Sequence, residues 1–169
     1  MIEVEIETDA WLLDLPDAVE RVRDAAAAAL SVPGAPAGAE ISVLLSNDAE
    51  VAELNGRFRG KPAATNVLSF PAPGFASPHL GDIVLAHEVC AAEAQAQGKP
   101  LADHLSHLVV HGVLHLLGHD HQIDVQAEAM ESLERTVLAS LGVRDPYADR
   151  TITPEEAQTS SDAGAASKR

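Results

Sequence analysis

The segment from Leu101 to Leu117 constrains the fold more than any other part of the chain. It has the apolar pattern of a helix, and in its second half apolar side chains point in nearly every direction. A helix without a polar face must be covered on all sides, so it is expected at the centre of a domain. The 169 residues are enough for one such domain, or for one domain and a tail. Gly118 suits the left-handed residue that follows a helix end.

Shorter periodic segments predict the elements around this helix. Four segments have the pattern of a strand. In some of them apolar and polar residues alternate, as in a half-buried strand, and in others apolar residues cluster between turn signals. These predicted strands are Ile2–Ile6, Ile41–Leu45, Thr65–Phe70 and Leu80–Ala86.

Helical spacing of apolar residues predicts four further helices. They begin after Asp14, begin at Asn47 or Asp48, span His87–Gln97, and end at Gly142. In the second of these, Phe58 is expected to face inward with Val51 and Leu54, and the chain from Arg57 to Ala64 is expected to form a loop. The irregular order of strands and helices indicates an α+β or mixed α/β single domain, with a sheet of about four strands and about five helices.

Composition limits the setting in which the chain works. Residues 148–169 are polar, small and aperiodic, so we expect a domain over residues 1–147 and a disordered tail. A single cysteine excludes an internal disulfide and favours a reducing compartment. No run of 18 apolar residues and no basic, apolar leader is found, which predicts a soluble cytoplasmic protein with no membrane partner.

The chemistry is expected in the segment HGVLHLLGHDH, from His111 to His121. His111 and His115 are four residues apart on the central helix, so both rings leave the same helix face one turn apart. A turn at Gly118 can bring His121 to the same point. Three imidazoles leave one coordination position open, as in catalytic zinc sites, and imidazole favours zinc over nickel, iron or manganese. The alternative is that these are surface or core-lining histidines without a metal.

Gly112 separates two hydrolytic hypotheses for this site. The histidine spacing is also that of metzincin proteases, which carry a glutamate general base directly after the first histidine. Glycine has no group that can transfer a proton. Peptide hydrolysis is therefore disfavoured, and a phosphodiester, which brings negative oxygens for a metal to stabilise, is the better substrate.

The segment HGVLHLLGHDH resembles the signature of the YbeY family of bacterial zinc endoribonucleases. Three further segments agree with that family: LNGRFRGK at Leu54–Lys61, TNVLSFP at Thr65–Pro71 and LGDIVLA at Leu80–Ala86. The resemblance implies a zincin-like domain with one Zn²⁺ on its central helix, held by His111, His115 and His121. It also implies cleavage of single-stranded RNA, 16S rRNA maturation at the 3′ end, and ribosome quality control with the small subunit and assembly factors.

Arg59 corresponds to the basic active-site residue of that family, and with His111 it is expected to act in catalysis. Arg57, Arg59 and Lys61 form one basic cluster that could bind the phosphates of the substrate. The net charge of −15 should repel nucleic acid on average, so RNA binding requires such a local cluster, and DNA is not expected as a partner. The loop KPAAT departs from the family pattern, as does His119, where the family commonly has tyrosine.

Several other residues have more than one open interpretation. His107 continues the face of His111 and could support the metal ligands, contact the substrate, or be a partly exposed helix residue. Asp120 either orients a ligand imidazole or caps the last helix. Cys90 is expected to be a small buried apolar residue, and Glu131 and Glu134 are expected on a solvated helix face. Two functional alternatives remain beside the endoribonuclease: a metallopeptidase, and a non-enzymatic ribosome-assembly factor with a structural metal.

Overall fold

The computed structural model describes residues 1–148 and shows a four-stranded sheet with six helices. The predicted tail, apart from Ala148, lies outside the described residues. The strands are β1 (Ile2–Ile6), β2 (Glu40–Ser46), β3 (Val67–Pro71) and β4 (His79–Ala86). The helices are α1 (Ala10–Asp14), α2 (Ala18–Ala29), α3 (Asp48–Arg59), α4 (His87–Ala96), α5 (Leu101–Leu116) and α6 (Asp124–Ser140).

The sheet is mixed, with the strand order β1-β2-β4-β3. β1, β2 and β4 run parallel, and β3 pairs antiparallel to β4 at the edge. β1 alternates between half-buried and exposed residues, as its sequence predicts for an edge strand. β4 is buried over its second half because helices cover both of its faces. The α+β class and the four strands predicted from the sequence are therefore confirmed.

Helix α5 lies at the centre of the larger core. It packs against α2, α4, α6 and the strands β3 and β4. The buried side chains of this core include Ile83 and Leu85 from β4 and Val109, Val113 and Leu114 from α5. A smaller cluster on the opposite face of the sheet joins Val51 of α3 to Leu68 and Val84. The central, covered position of α5 agrees with its apolar sequence.

Three predictions about the helices need correction. Asp14 ends the short helix α1 instead of capping the next helix, which begins at Ala18. Helix α3 includes the first three residues of the predicted loop and extends to Arg59. Gly60 ends it in the left-handed region with a φ of 72°. The Phe58 side chain lies on the outer face of α3 and is 62% exposed. None of the helices in the described part of the chain combines the length and apolar composition of a membrane span.

Candidate metal centre

Helix α5 and the turn after it bring three imidazoles to one point. One ring nitrogen from each of His111, His115 and His121 lies within 4.8 Å of the corresponding atoms of the other two. The Nε2 atoms of His111 and His115 are 3.1 Å apart, as their spacing of one helical turn predicts. His111 is buried, whereas His115 and His121 are half-buried.

The turn after α5 is closed by backbone hydrogen bonds. Gly118, with a φ of 99°, donates its N–H to the His115 carbonyl, and the next N–H, of His119, reaches the Leu114 carbonyl. This left-handed turn reverses the chain and returns His121 to the first two rings. Asp120 accepts a hydrogen bond of 2.7 Å from the His121 backbone N–H. It does not cap α6, which begins at Asp124, so that interpretation of Asp120 was wrong.

The three imidazoles fit a single tetrahedral metal ion. Two nitrogens bound about 2 Å from such an ion lie about 3.3 Å apart. The His111 and His115 nitrogens are 3.1 Å apart, and all three ligand atoms lie within 4.8 Å of one another, which is compatible with one shared ion. Three protein ligands leave the fourth position of a tetrahedral site for water or substrate.

Electrostatics favour the neutral, metal-binding form of His115. Burial lowers its pKa to about 4, and the neighbouring rings of His111 and His121 act in the same direction. Asp120 and a hydrogen bond with the His119 backbone oppose the shift only in part. At neutral pH this imidazole therefore offers a lone pair to an ion rather than a proton.

Glu134 of α6 supports the cluster from behind, where the sequence analysis had assigned it to a solvated face. Its side chain is 1% exposed, and Oε2 lies 2.7 Å from His107 Nε2 and 3.2 Å from His111 Nδ1. Burial alone would raise the pKa of this carboxyl, but hydrogen bonds from the two histidines hold it well below its ordinary value. Glu134 follows Met130 by four residues and precedes Val137 by three, so its place on the apolar face of α6 was readable from the spacing.

Gly112 carries no side chain that could act as a general base, and it lies in tight contact with the sheet. A Cβ atom at this position would lie 3.1 Å from Ile83 Cδ1 and 3.2 Å from Ser69 Oγ. Both neighbours belong to strands directly beneath α5. The glycine thus allows α5 to lie close to the sheet, and a side chain here would require the Ile83 and Ser69 side chains to shift.

Arg59 is joined to the cluster through strand β3. Its Nη2 donates a hydrogen bond of 2.9 Å to the Ser69 carbonyl, and its guanidinium carbon lies 5.8 Å from the centre of the Phe70 ring. The Ser69 hydroxyl donates in turn to the carbonyl of Gly112, the residue after His111, at 3.3 Å. The exposed arginine is therefore held beside the segment of α5 that carries the first imidazole.

The two other basic residues are held less firmly. Arg57 forms an ion pair with Glu53 on the same helix, both side chains being more than half exposed. Lys61 is exposed, and its hydrogen bonds within the described part of the chain are made by its backbone, with the Asn55 carbonyl and the Ala63 N–H. Of the predicted basic cluster, the structure connects Arg59 alone to the histidines by a short chain of hydrogen bonds.

A mixed sheet, with a three-histidine cluster on its central helix and the turn that follows, defines an α+β protein with a candidate metal centre. The fold is shared with the solution structure of a Thermotoga maritima protein, at a TM-score of 0.52 and 23% identity over 83% of this chain and 91% of that one. The sequence model described as "Endoribonuclease YbeY" matches residues 3–142.

Curated relatives carry the same name. The protein of Paramagnetospirillum magneticum is 52% identical over 159 residues, which cover 88% of this chain and 96% of the relative. That of Parvibaculum lavamentivorans is 54% identical over 140 residues and 76% of each chain. The chain therefore belongs to the YbeY endoribonuclease family, as its histidine and TNVLSF segments suggested.

Proposed function

We propose that this protein is a zinc-dependent endoribonuclease that cleaves single-stranded RNA, with the precursor of 16S rRNA as substrate. The observation that carries the proposal is the convergence of three imidazole nitrogens within 4.8 Å of one another, from the central helix and the turn after it. Membership of the YbeY endoribonuclease family supports the reaction class. By the same resemblance, the protein would act at the 3′ end of the rRNA, in the cytoplasm, with the small ribosomal subunit and its assembly factors.

His111, His115 and His121 would hold the zinc ion. When bound, zinc supplies positive charge and an open coordination position, at which a water molecule or a phosphate oxygen becomes polarised. All three side chains can use a neutral ring nitrogen, and the low pKa of His115 keeps that ring unprotonated at neutral pH. An imidazole-only donor set favours zinc over magnesium or calcium, which prefer oxygen ligands.

Arg59 would bind the phosphate that is cleaved. A guanidinium has five N–H donors, and one nitrogen of Arg59 is engaged with the Ser69 carbonyl. The remaining donors are exposed and suit bidentate contact with a phosphate and with the charge that develops on it. Arg57 and Lys61 would add a weaker attraction for neighbouring phosphates, which a chain of net charge −15 needs locally.

Because Gly112 provides no general base, either a water molecule or the RNA 2′-hydroxyl could attack phosphorus. The chemical ends of the cleaved RNA identify which of the two attacks. Attack by water leaves a 5′-phosphate and a 3′-hydroxyl, whereas attack by the RNA 2′-hydroxyl leaves a 2′,3′-cyclic phosphate. Mass spectrometry of the products distinguishes the two routes.

Residues 1–147 are proposed as the catalytic domain. The family match over residues 3–142 and the burial of Tyr147 against the main body of the fold support this boundary. The metallopeptidase and the structural-metal alternatives gain no such support, because Gly112 carries no general base and three imidazole ligands would leave a coordination position open.

The test measures zinc content and cleavage of one single-stranded RNA by the same samples. His111→Ala and His115→Ala should lose both zinc and cleavage. Arg59→Glu should keep its zinc and lose about 100-fold in cleavage rate, because a phosphate-binding donor becomes a repelling charge. Arg23→Glu, an equal charge reversal on the exposed face of α2, serves as the matched control and should cleave normally.

Undiminished cleavage by the metal-free protein, or by either histidine variant, would contradict the proposal. Peptide hydrolysis that survives Arg59→Glu would favour the metallopeptidase instead. Normal rRNA processing in cells that carry a histidine variant would favour the assembly factor.

A further inference from the structure

A buried carboxylate is shared by three donors directly behind the candidate metal centre. Oε2 of Glu134 receives hydrogen bonds from His107 Nε2 at 2.7 Å and from His111 Nδ1 at 3.2 Å. Oε1 receives one from the Tyr147 hydroxyl at 2.9 Å. Burying a charge is costly unless its oxygens are paired, and here both oxygens are.

The bond to His111 determines which ring nitrogen faces the cluster. A neutral imidazole carries one proton, and a proton on Nδ1 that is donated to Glu134 leaves a lone pair on Nε2. Nε2 is the atom that lies 3.1 Å from His115 Nε2, on the side of the other two ligands. The carboxylate therefore selects the tautomer that can bind a metal and fixes the plane of the ring.

We propose that Glu134 is the positioning residue of the metal centre, holding the His111 ring in its Nδ1–H form while Tyr147 and His107 hold the carboxylate. The inference rests on the proposed metal site but not on the identity of the RNA. It adds a residue of α6, and one from the segment after α6, to a site whose ligands all come from α5 and its following turn.

Tyr147 makes the segment after α6 part of this arrangement. Its ring is buried and lies 5.3 Å from the guanidinium carbon of Arg135. Asp145 accepts from the Tyr147 backbone N–H at 2.8 Å and from Arg135 Nε at 3.3 Å. The segment is thereby fastened to α6, and the hydroxyl is brought to Oε1 of Glu134.

The same fold contains a matched pair that does not touch the cluster. Glu93 of α4 accepts a hydrogen bond of 2.8 Å from His104 Nε2, and His104 also lies on α5. Glu93→Gln therefore removes a carboxylate from a buried histidine of the same helix without reaching His111. It separates an effect on metal binding from a general effect on packing.

The experiment measures zinc affinity by competition with a chromophoric chelator, on metal-stripped protein. Glu134→Gln keeps the side-chain shape but offers one acceptor oxygen to three donors, so zinc binding should weaken about 10-fold to 100-fold. Tyr147→Phe should weaken it less, by about threefold, because only Oε1 loses its partner. Glu93→Gln should bind zinc as the wild type does.

A second readout reports the tautomer directly. Long-range ¹H–¹⁵N spectra of the metal-free protein should show His111 protonated at Nδ1. Glu134→Leu should move that proton to Nε2 or leave a mixture, since it removes the acceptor altogether. Thermal unfolding of each variant without metal shows that it is folded, and the two conservative variants carry the test if Glu134→Leu is not.

Three results would overturn the inference. Unchanged zinc affinity in Glu134→Gln, or an equal loss in Glu93→Gln, would leave Glu134 with a packing role only. An Nε2–H tautomer of His111 in the wild type would contradict it as well. A wild-type chain that binds no zinc would remove the metal site itself, so failure of the proposed function is seen separately.

Discussion

At the scale of residues, two histidines of α5 outside the three-histidine cluster are each held by a carboxylate on a neighbouring helix. His104 pairs with Glu93 and His107 with Glu134, each through Nε2. The Nδ1 atoms of both rings are buried without a hydrogen-bond partner among the described residues. Burial lowers the pKa of His107, whereas the hydrogen bond to Glu134 opposes this shift. The uncharged form of that ring, with one N–H that donates, is the one the site requires.

Glu93 provides a prediction about acid stability. Burial would raise the pKa of this carboxyl, but hydrogen bonds from His104 and Asn66 bring it below its ordinary value of 4.5. A folded-state pKa below the unfolded one gives stability that is complete above pH 4.5 and is lost as the pH falls through the folded value. Glu93→Gln should therefore be less stable at pH 7 by about 1 kcal/mol, and the difference should shrink below pH 4.5.

Urea unfolding of both proteins at pH 7, 5 and 3.5 measures this difference. Glu128→Gln, at an exposed position of α6, is the comparison for the loss of one acidic charge. If the difference in free energy of unfolding between the wild type and Glu93→Gln stayed constant or grew in acid, it would contradict the lowered pKa of Glu93.

The sequence could predict the three-histidine cluster but not the groups that hold its rings in place. The convergence of the three rings follows from the four-residue spacing of His111 and His115 and from the glycine before His121. Both are local features of the sequence. Glu134 contacts His111 across 23 residues, and its pairing depends on how α6 packs on α5. An acidic residue in a helix is usually exposed, so only its position between Met130 and Val137 gave a signal.

At the scale of elements, α3 shows why helix ends are difficult to predict. Arg57 pairs with Glu53 one turn earlier, and both Arg57 and Arg59 lie in the last turn, where positive charge is favourable. Gly60 then accepts the left-handed conformation that ends the helix. The ion pair and the positive charge in the last turn stabilise helical structure at residues that were predicted to form a loop. The longer helix places Arg59 beside β3.

Gly81 provides a prediction about the strand pair that carries Ser69. It lies in β4 next to a register shift against β2, with a φ of 150°. A Cβ atom there would overlap the Phe70 carbonyl oxygen and lie 2.9 Å from Leu116 Cδ2. Gly81→Ala should therefore destabilise the fold by about 2 kcal/mol or more, because it strains the backbone and overpacks a pair of strands.

Gly74→Ala is the matched control for this substitution. Gly74 has an ordinary φ, and nothing lies within 4 Å of its added Cβ. Its free energy of unfolding in urea should change by less than about 0.5 kcal/mol. Equal stabilities of Gly81→Ala and Gly74→Ala would show that the close approach of β3 and β4 is not required.

At the scale of the whole molecule, helices from the early and the late part of the described chain pack against the central helix. α2 packs on one side of α5, and α6 with the segment to Tyr147 packs on another. The central position of α5 was predictable because a helix that is apolar on all sides must be buried in the core. The order β1-β2-β4-β3 was not predicted, because strand alternation specifies faces but not neighbours.

The central claim is that three imidazoles hold one zinc ion with a position left for a reactant. X-ray absorption spectroscopy of the zinc-loaded full chain tests it most directly. We predict one zinc per chain with three imidazole nitrogens at about 2.0 Å and one further oxygen ligand that changes when phosphate or RNA is added. Four protein ligands that persist when RNA is added, or fewer than three imidazoles, would contradict the account.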